Sequence, residues 1–201
     1  MEEKPVLYGN LIVGDFESPE MVKRCIDSFT EYVDGLYIAI TYKDQPPTPD
    51  HPLVELLELY KANISYFKWV KDFAAARNFI MDQTPHGENV YIYWQDADDV
   101  LLDGENLRLE LEEAYRHKIA AVFFTYLYQV EVDENNNIKE IIVEHKRERI
   151  IRNNHSFKWI GALHETLIEQ QTENVQKVLS RACRILHLSD GDRIDSNIDR
   201  N

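Results

Sequence analysis

Three features of this chain predict an α/β fold: one mostly parallel sheet flanked by helices, with a mixed, antiparallel second half. Over roughly the first half, short apolar runs alternate with amphipathic stretches in the order β-α-β-α-β-α-β, which argues for parallel strands joined by helical crossovers. From Ala120 onward, long runs of strand-forming residues replace the helical spacing, and an asparagine-rich turn separates two of them. No internal repeat and no linker-like stretch divides the 201 residues, so 1–201 reads as a single domain long enough to bury a core.

Element by element, Pro5 to Val13 is an apolar, β-branched strand closed by Gly14. Ser18-Pro19 supplies a helix cap and a first-turn proline, and Met21, Val22, Cys25, Ile26 and Phe29 follow at helical spacing. Gly35 to Thr41 is the second strand, ending in the proline-rich loop Gln45 to Pro49. Pro52 opens a helix with Leu53, Leu56, Leu57 and Tyr60 on one face, and Ile64 to Phe67 is a short third strand. Asp72 caps a helix from Phe73 to about Gln83, broken by Pro85-His-Gly, and Asn89 to Trp94 is the fourth strand. A helix from Glu105 to His117 follows. Then come a long strand from Ala120 to Val132, a turn at Asp133 to Asn137 and a return strand from Ile138 to His145. Shorter strands are expected near Arg149 to Arg152, Leu163 to Glu169 and Lys177 to Leu188.

A formal charge of −14 disfavours generic binding to nucleic acid or to an anionic membrane surface. An anionic small substrate stays possible if clustered arginines or a bound cation offset the charge locally. The longest apolar runs fall far short of a membrane span. The start, Met-Glu-Glu-Lys-Pro, lacks the basic and apolar regions of a signal peptide. Cys25 and Cys183 lie far apart among apolar residues and read as buried free thiols. A cytoplasmic location is the expectation.

Three stretches carry candidate chemistry. The apolar strand ending at Trp94 runs into Gln95-Asp96-Ala97-Asp98-Asp99, at the carboxyl end of a strand where open α/β sheets bind ligands. On an extended backbone Asp96 and Asp98 point the same way, and two adjacent carboxylates invite a hard divalent ion, Mg²⁺ or Mn²⁺. Acid-rich turns also serve as plain solvated caps. In Asp72-Phe-Ala-Ala-Ala-Arg77-Asn78 the small residues allow close approach, and Arg77 can reach a phosphate with its planar fork of donors. On the residues alone, the more economical reading is a packed helix whose Arg77 pairs with a nearby carboxylate. Arg147, Arg149 and Arg152 form a basic patch ahead of Trp159-Ile-Gly-Ala-Leu-His164-Glu165. There one of two opposite-facing groups, His164 or Glu165, can act as a general base. His187 is a lone histidine after an apolar run, a type more often structural than ligating.

In order and spacing these stretches resemble the inverting glycosyltransferases of the GT-A fold, in the large family 2 group. The likeness lies in the Asp72 to Asn78 helix, the Asp96-Ala-Asp-Asp99 run, and the Trp159 to Glu165 segment preceded by Arg152-Asn153. The late position of His187 adds to it. The resemblance implies a Rossmann-like GT-A domain whose residues 1–100 bind a nucleotide-sugar donor and whose residues 101–201 bind the acceptor. Residue by residue it implies Val13 and Asp15 at the nucleoside, Asp72 near the uracil or ribose of a UDP-sugar, and Arg77 near the pyrophosphate. It further implies Asp98 as principal metal ligand, Asp96 at the ribose or metal, and His187 completing an Mn²⁺ or Mg²⁺ site. Glu165 becomes the base with His164 as its substitute, and Arg152 and Trp159 become contacts to acceptor or phosphate.

Members of that group carry an aspartate at the end of the second strand. Here the place reads Ile40-Thr41-Tyr42-Lys43-Asp44, with Asp44 as the compensating candidate. Relatives also continue beyond the equivalent of His187, so the chain reads either as a minimal enzyme or as a module of a longer one. Two rival readings stay open: a non-catalytic nucleotide- or glycan-binding module, and a sugar nucleotidyltransferase. The latter lacks its Gly-rich basic loop after the first strand. The acceptor and donor sugar are not legible in the residues, and nucleic acid is disfavoured but not excluded by the arginine patch.

Overall fold

In the computed structural model, which describes residues 4–133, 138–170 and 175–188, the alternating pattern resolves into a β-α series followed by long paired strands. The series runs β1 (Val6–Gly14), α1 (Pro19–Asp27), β2 (Gly35–Tyr42), α2 (Pro52–Leu59), β3 (Asn63–Lys68), α3 (Phe73–Gln83) and β4 (Val90–Trp94). The caps are those the residues call for. Ser18 accepts from the Met21 amide ahead of Pro19, and Asp72 accepts from the Ala75 amide at 2.9 Å. The second half holds β5 (Asp99–Leu102), α4 (Leu107–Arg116), β6 (Ala121–Val132), β7 (Ile138–Arg152), β8 (Phe157–Ile160), β9 (Thr166–Glu169) and β10 (Lys177–His187).

Eight strands form one sheet in the order β3-β2-β1-β4-β7-β6-β10-β5, and β8 and β9 form a separate hairpin. The β3-β2-β1-β4 half is parallel throughout, because each crossover is a helix. Beyond it β7 runs antiparallel to both β4 and β6, β10 is parallel to β6, and β5 is antiparallel to β10. The predicted mostly parallel sheet with a mixed second half is what the chain forms.

Side-chain alternation along β4 divides the core in two. Tyr91 and Tyr93 face one cluster with Val22, Cys25 and Ile26 of α1, Leu53 and Leu57 of α2, and Leu107 and Leu111 of α4. Ile92 and Trp94 face the other, with Ala74 and Met81 of α3 and Phe157, Trp159 and Leu167 of the small hairpin. Each such large apolar side chain contributes about 1.5–3 kcal/mol on burial. The second cluster fixes α3 against β8, and that contact later positions the charged groups. Both cysteines are free and buried. Among the described residues no helix is long and apolar enough to cross a membrane.

Four expectations change. Asp99–Leu102, left as a connection in the sequence reading, is a strand. Ile138–Arg152 is one strand of 15 residues rather than separate pieces at 138–145 and 149–152, because pairing with β6 carries it through the polar stretch His145 to Arg149. Phe157–Ile160 is an unforeseen strand. The strand expected at Leu163 to Glu169 begins only at Thr166, so His164 and Glu165 lie in irregular backbone. Of the turn expected at Asp133 to Asn137, residues 134–137 lie outside the described residues.

Candidate functional site

The segment after β4 is a turn, not an extension of the strand. The Asp99 amide donates to the Asp96 carbonyl at 3.0 Å, closing a four-residue turn over Asp96 to Asp99. Gln95 pins it from below: its side chain, fully buried, donates to the Cys25 carbonyl at 3.2 Å and the Asp99 carbonyl at 3.2 Å. The expectation that Asp96 and Asp98 share a direction is thereby corrected, since alternation holds only for extended backbone. The two carboxylates enter different clusters.

Asp98 joins Asp99 and His187. Antiparallel pairing of β5 with β10 sets Asp99 directly opposite His187. His187 Nδ1 lies 3.2 Å from Asp99 Oδ1 and 3.5 Å from Asp98 Oδ2. Ligand-capable atoms of the three residues all fall within 4.8 Å of one another. Around them, Tyr126 Oη donates to Asp99 Oδ1 at 3.0 Å, Arg149 donates to Asp99 Oδ2 at 3.2 Å, and the Tyr128 ring stacks on His187 at 5.1 Å. Burial opposes a charge on His187, yet Asp99, Asp98 and Asp96 outweigh it and raise its pKa. Two carboxylates and one imidazole at this spacing form a mixed oxygen and nitrogen donor set. That set fits Mn²⁺, and Mg²⁺ less well because imidazole is the softer ligand. Asp99 is fully buried and both its oxygens already accept hydrogen bonds, and His187 Nδ1 also lies 3.1 Å from Tyr126 Oη.

Asp96 pairs with Arg77 instead. Arg77 Nη2 donates to Asp96 Oδ1 at 2.6 Å and lies 2.9 Å from Glu165 Oε1, to which its Nε also donates at 3.0 Å. The guanidinium lies 4.2 Å from the Trp94 ring centre and 5.3 Å from that of Trp159, a cation-π contact on two sides. Arg149 lies at the same 4.2 Å from Trp94, so this indole takes two guanidiniums. Burial pushes the Asp96 carboxyl up, but Arg77, Arg149 and Arg147 prevail and lower its pKa to about 2. Arg77 itself is disfavoured as a cation by burial, and Asp96 and Glu165 reverse this and raise its pKa. The economical reading of Arg77, a packed helix with a carboxylate partner, describes its contacts: Nε and Nη2 are engaged by Asp96 and Glu165.

Glu165 reaches this pair because the chain folds sharply before it. Gly161 has φ +94, and a Cβ there would meet the His164 carbonyl oxygen at 3.0 Å. The Phe73 amide donates to the Ala162 carbonyl at 2.9 Å, tying the turn to the start of α3. Asn78 holds Trp159 by both backbone groups, each at 2.9 Å. Glu165 is thus drawn in, with 11% of its side chain exposed, while His164 is exposed to solvent. Trp159, read as an acceptor contact, is buried beneath Arg77.

The remaining expected residues divide. A cleft of about 340 Å³ opens at the carboxyl ends of β1 and β2 beside the start of α3. It is lined by Asp15, Phe16, Lys43, Trp69, Lys71 and Leu163 among others. Asp15 therefore faces it; Val13 is fully buried below, Asp44 is exposed on the following loop, and Asp72 is engaged as the α3 cap. Arg152 does not belong with Arg147 and Arg149. It pairs opposite Tyr91 near the amino end of β4 and donates to Tyr91 Oη at 3.1 Å, at the far edge of the sheet. The basic patch seen in the sequence splits because β7 spans the whole sheet. Asp99, Tyr126, Arg147 and Arg149 are the site residues to which sequence reasoning assigned no role. The one available signal was the pair of basic residues inside a strand, unusual unless acids face them.

No protein-family model matches the chain, and no curated protein matches it in sequence. Solved structures similar to it include S. aureus TarS residues 1–349, at 13% identity over 74% of this chain and 47% of that one, with a TM-score of 0.45. The longer S. aureus TarS chain is 14% identical over 64% of this chain and 23% of that one, TM-score 0.44. TarS 1–349 in complex with UDP-GlcNAc is 13% identical over 67% and 37%, TM-score 0.40. The chain spans less than half the length of these structures. Likeness at this level leaves function to be argued from the residues.

Proposed function

We propose that this chain is the donor-binding and catalytic part of a glycosyltransferase that moves a sugar, with inversion, from a nucleotide-sugar to an acceptor. A UDP-sugar is the first donor to test. One observation carries the reading. A cleft of nucleoside size lies at the carboxyl ends of β1 and β2, a metal-capable cluster joins the turn after β4 to the end of β10, and Arg77 braces Glu165 beside Asp96 of that same turn.

In this reading the cleft beside Asp15, Trp69 and Lys71 holds the nucleoside, with Asp72 and Asp44 at its margin. Asp98 and His187, with Asp99 behind them, would hold Mn²⁺ or Mg²⁺, which when bound neutralises the diphosphate leaving group. Tyr126 and Arg149 orient Asp99, and Arg77 orients both Asp96 and Glu165. Glu165 receives the acceptor proton through Oε2, because Oε1 carries the Arg77 contacts. General-base help of this kind contributes about 10²- to 10⁴-fold in rate. His164, exposed one residue away, is the substitute base. The buried free thiols accord with a reducing, cytoplasmic setting.

The ion pair on Glu165 favours one second reading, a non-catalytic nucleotide- or glycan-binding module, since a paired carboxylate is a poorer proton acceptor. Calorimetric titration with UDP and UDP-glucose, each with Mn²⁺ and with EDTA, followed by donor hydrolysis, separates the two. Metal-dependent binding with turnover supports the transferase. Binding without turnover supports the module. No binding of UDP or UDP-glucose, with or without Mn²⁺, would end the UDP-sugar reading of both and leave only a glycan-binding module.

A further inference from the structure

Three arginines converge on Trp94, and they differ in what is left of their hydrogen-bonding capacity. Arg77 has 7% of its side chain exposed and is committed to Asp96 and Glu165. Arg149 has 1% exposed: it donates to Asp99 and the Trp94 carbonyl, and its unpartnered Nε is buried beyond reach of solvent. Arg147, two residues before it on β7, has 37% of its side chain exposed. Its nearest acid is Glu165, with Nη2 at 3.9 Å from Oε1, beyond hydrogen-bond reach, and its guanidinium carbon lies 5.7 Å from the Trp94 ring centre.

We infer that Arg147 is the phosphate-binding residue of this site, taking the place the sequence motif suggests for Arg77. The inference rests on the donor reading above for its location, but on Arg147's own open donors for its chemistry. A guanidinium presents five N–H groups in a plane matched to two phosphate oxygens, and here it is partly exposed beside the braced carboxylate and over Trp94, whose carbonyl also meets the Arg149 that holds Asp99. Charge points the same way. Asp96, Asp98, Asp99 and Glu165 accompany Arg77, Arg147 and Arg149, leaving the cluster with an excess of one negative charge. A divalent cation would turn that balance to one positive charge, and the positive side would be displayed on the exposed arginine. A phosphoryl group meets the exposed guanidinium without dismantling any buried pair. Arg77 is nearly inaccessible, and to meet its Nε or Nη2 a phosphoryl group would have to displace Asp96 or Glu165.

The phosphate could belong to the donor's diphosphate or to a phosphate-bearing acceptor, and both are recognised by the same fork. The test is titration calorimetry with Mn²⁺ present, using uridine, UDP and inorganic pyrophosphate against wild type, Arg147→Met and Arg147→Lys. Methionine keeps the length of the stem on the strand, and thermal melting checks that both variants fold. Arg147→Met should weaken UDP and pyrophosphate by roughly 10- to 100-fold, leave uridine unchanged, and be recovered only in part by lysine. Pyrophosphate that competes with UDP assigns the group to the donor; pyrophosphate that binds alongside UDP assigns it to an acceptor. Pyrophosphate binding that depends on Arg147 while UDP and uridine fail to bind would keep the phosphate site and remove the donor reading. Folded Arg147→Met with wild-type affinity for UDP and pyrophosphate overturns the inference and leaves the donor reading intact. Wild type that binds neither phosphate ligand overturns it outright.

Discussion

Replacing Arg77 with methionine tests the bracing of the site most directly, because its two carboxylate partners differ in access to water. Asp96 has 37% of its side chain exposed and can regain hydration, whereas Glu165 has 11% and cannot. Loss of the guanidinium therefore leaves a buried carboxylate without its hydrogen-bonded partner, with only Arg147 at 3.9 Å to offset it, a change that costs up to about 3–5 kcal/mol. The lost contact with Trp94 at 4.2 Å lies within that range rather than adding to it. Against a total stability of about 5–15 kcal/mol this is a large fraction. The measurement is urea unfolding followed by tryptophan fluorescence, for which Trp94 and Trp159 beside Arg77 are built-in reporters. Adding Glu165→Gln to Arg77→Met should restore about 1–3 kcal/mol, because the orphaned charge is removed. Adding Asp96→Asn should restore less, below about 1 kcal/mol, because that carboxylate is the more exposed of the two. A cost below about 1 kcal/mol for Arg77→Met, or a larger rescue by Asp96→Asn than by Glu165→Gln, would refute the reasoning.

Other perturbations have equally definite outcomes. Asp98→Ala should abolish Mn²⁺ binding measured by electron paramagnetic resonance, and with it the stabilisation of about 2.7 kcal/mol expected at a hundred times Kd. Asp96→Asn should keep Mn²⁺ binding within about 10-fold, and its complete loss would put Asp96 back among the ligands. Gly161→Ala places a side chain at φ +94 against the His164 carbonyl and should cost about 1 kcal/mol or more, with a matching fall in Tm and in any Glu165-dependent transfer. His86 and His155 stack at 4.1 Å, and burial followed by His155 lowers the pKa of His86, with Asp82 opposing. A histidine with a depressed folded pKa costs nothing while neutral, so stability should decline as the pH falls below about 6.5, the unfolded value. His155→Asn, suited to the left-handed backbone at φ 64, should flatten that decline in denaturation measured from pH 7 to 5; an unchanged slope would clear the pair of the effect.

The parallel half of the fold was legible because each element carries its own signal. Ser18-Pro19 and Asp72 announce helices, and the apolar runs of β1, β2 and β4 have no competing period. The mixed half was harder because its strands are defined by partners. Asp99–Leu102 is only four residues long and forms against β10, far along the chain. The run His145 to Arg149 shows no apolar alternation, since Arg149 is buried as an ion-pair partner rather than as an apolar one. The site followed the same logic. Asp98 and His187 stood out through a resemblance in motif order, and Arg77's pairing was foreseeable from its helix. Asp99 was not, because a fully buried carboxylate makes sense only once Arg149 and Tyr126 are seen beside it. The Asp96 turn overrode the alternation rule through two hydrogen bonds with Asp99, one from each backbone amide.

The pairing of Asp99 with His187 joins positions 88 residues apart in the chain. As the polypeptide leaves the ribosome, nearly the whole first half of the sheet can assemble before the second donor of the cluster exists. A cation would therefore meet an incomplete donor set, the two aspartates without the imidazole, until β10 has slotted between β6 and β5. It would contribute little to early folding and would act instead as a latch on the closing strand. Manganese uptake would then count finished molecules, and chains stalled before that last insertion would be invisible to it.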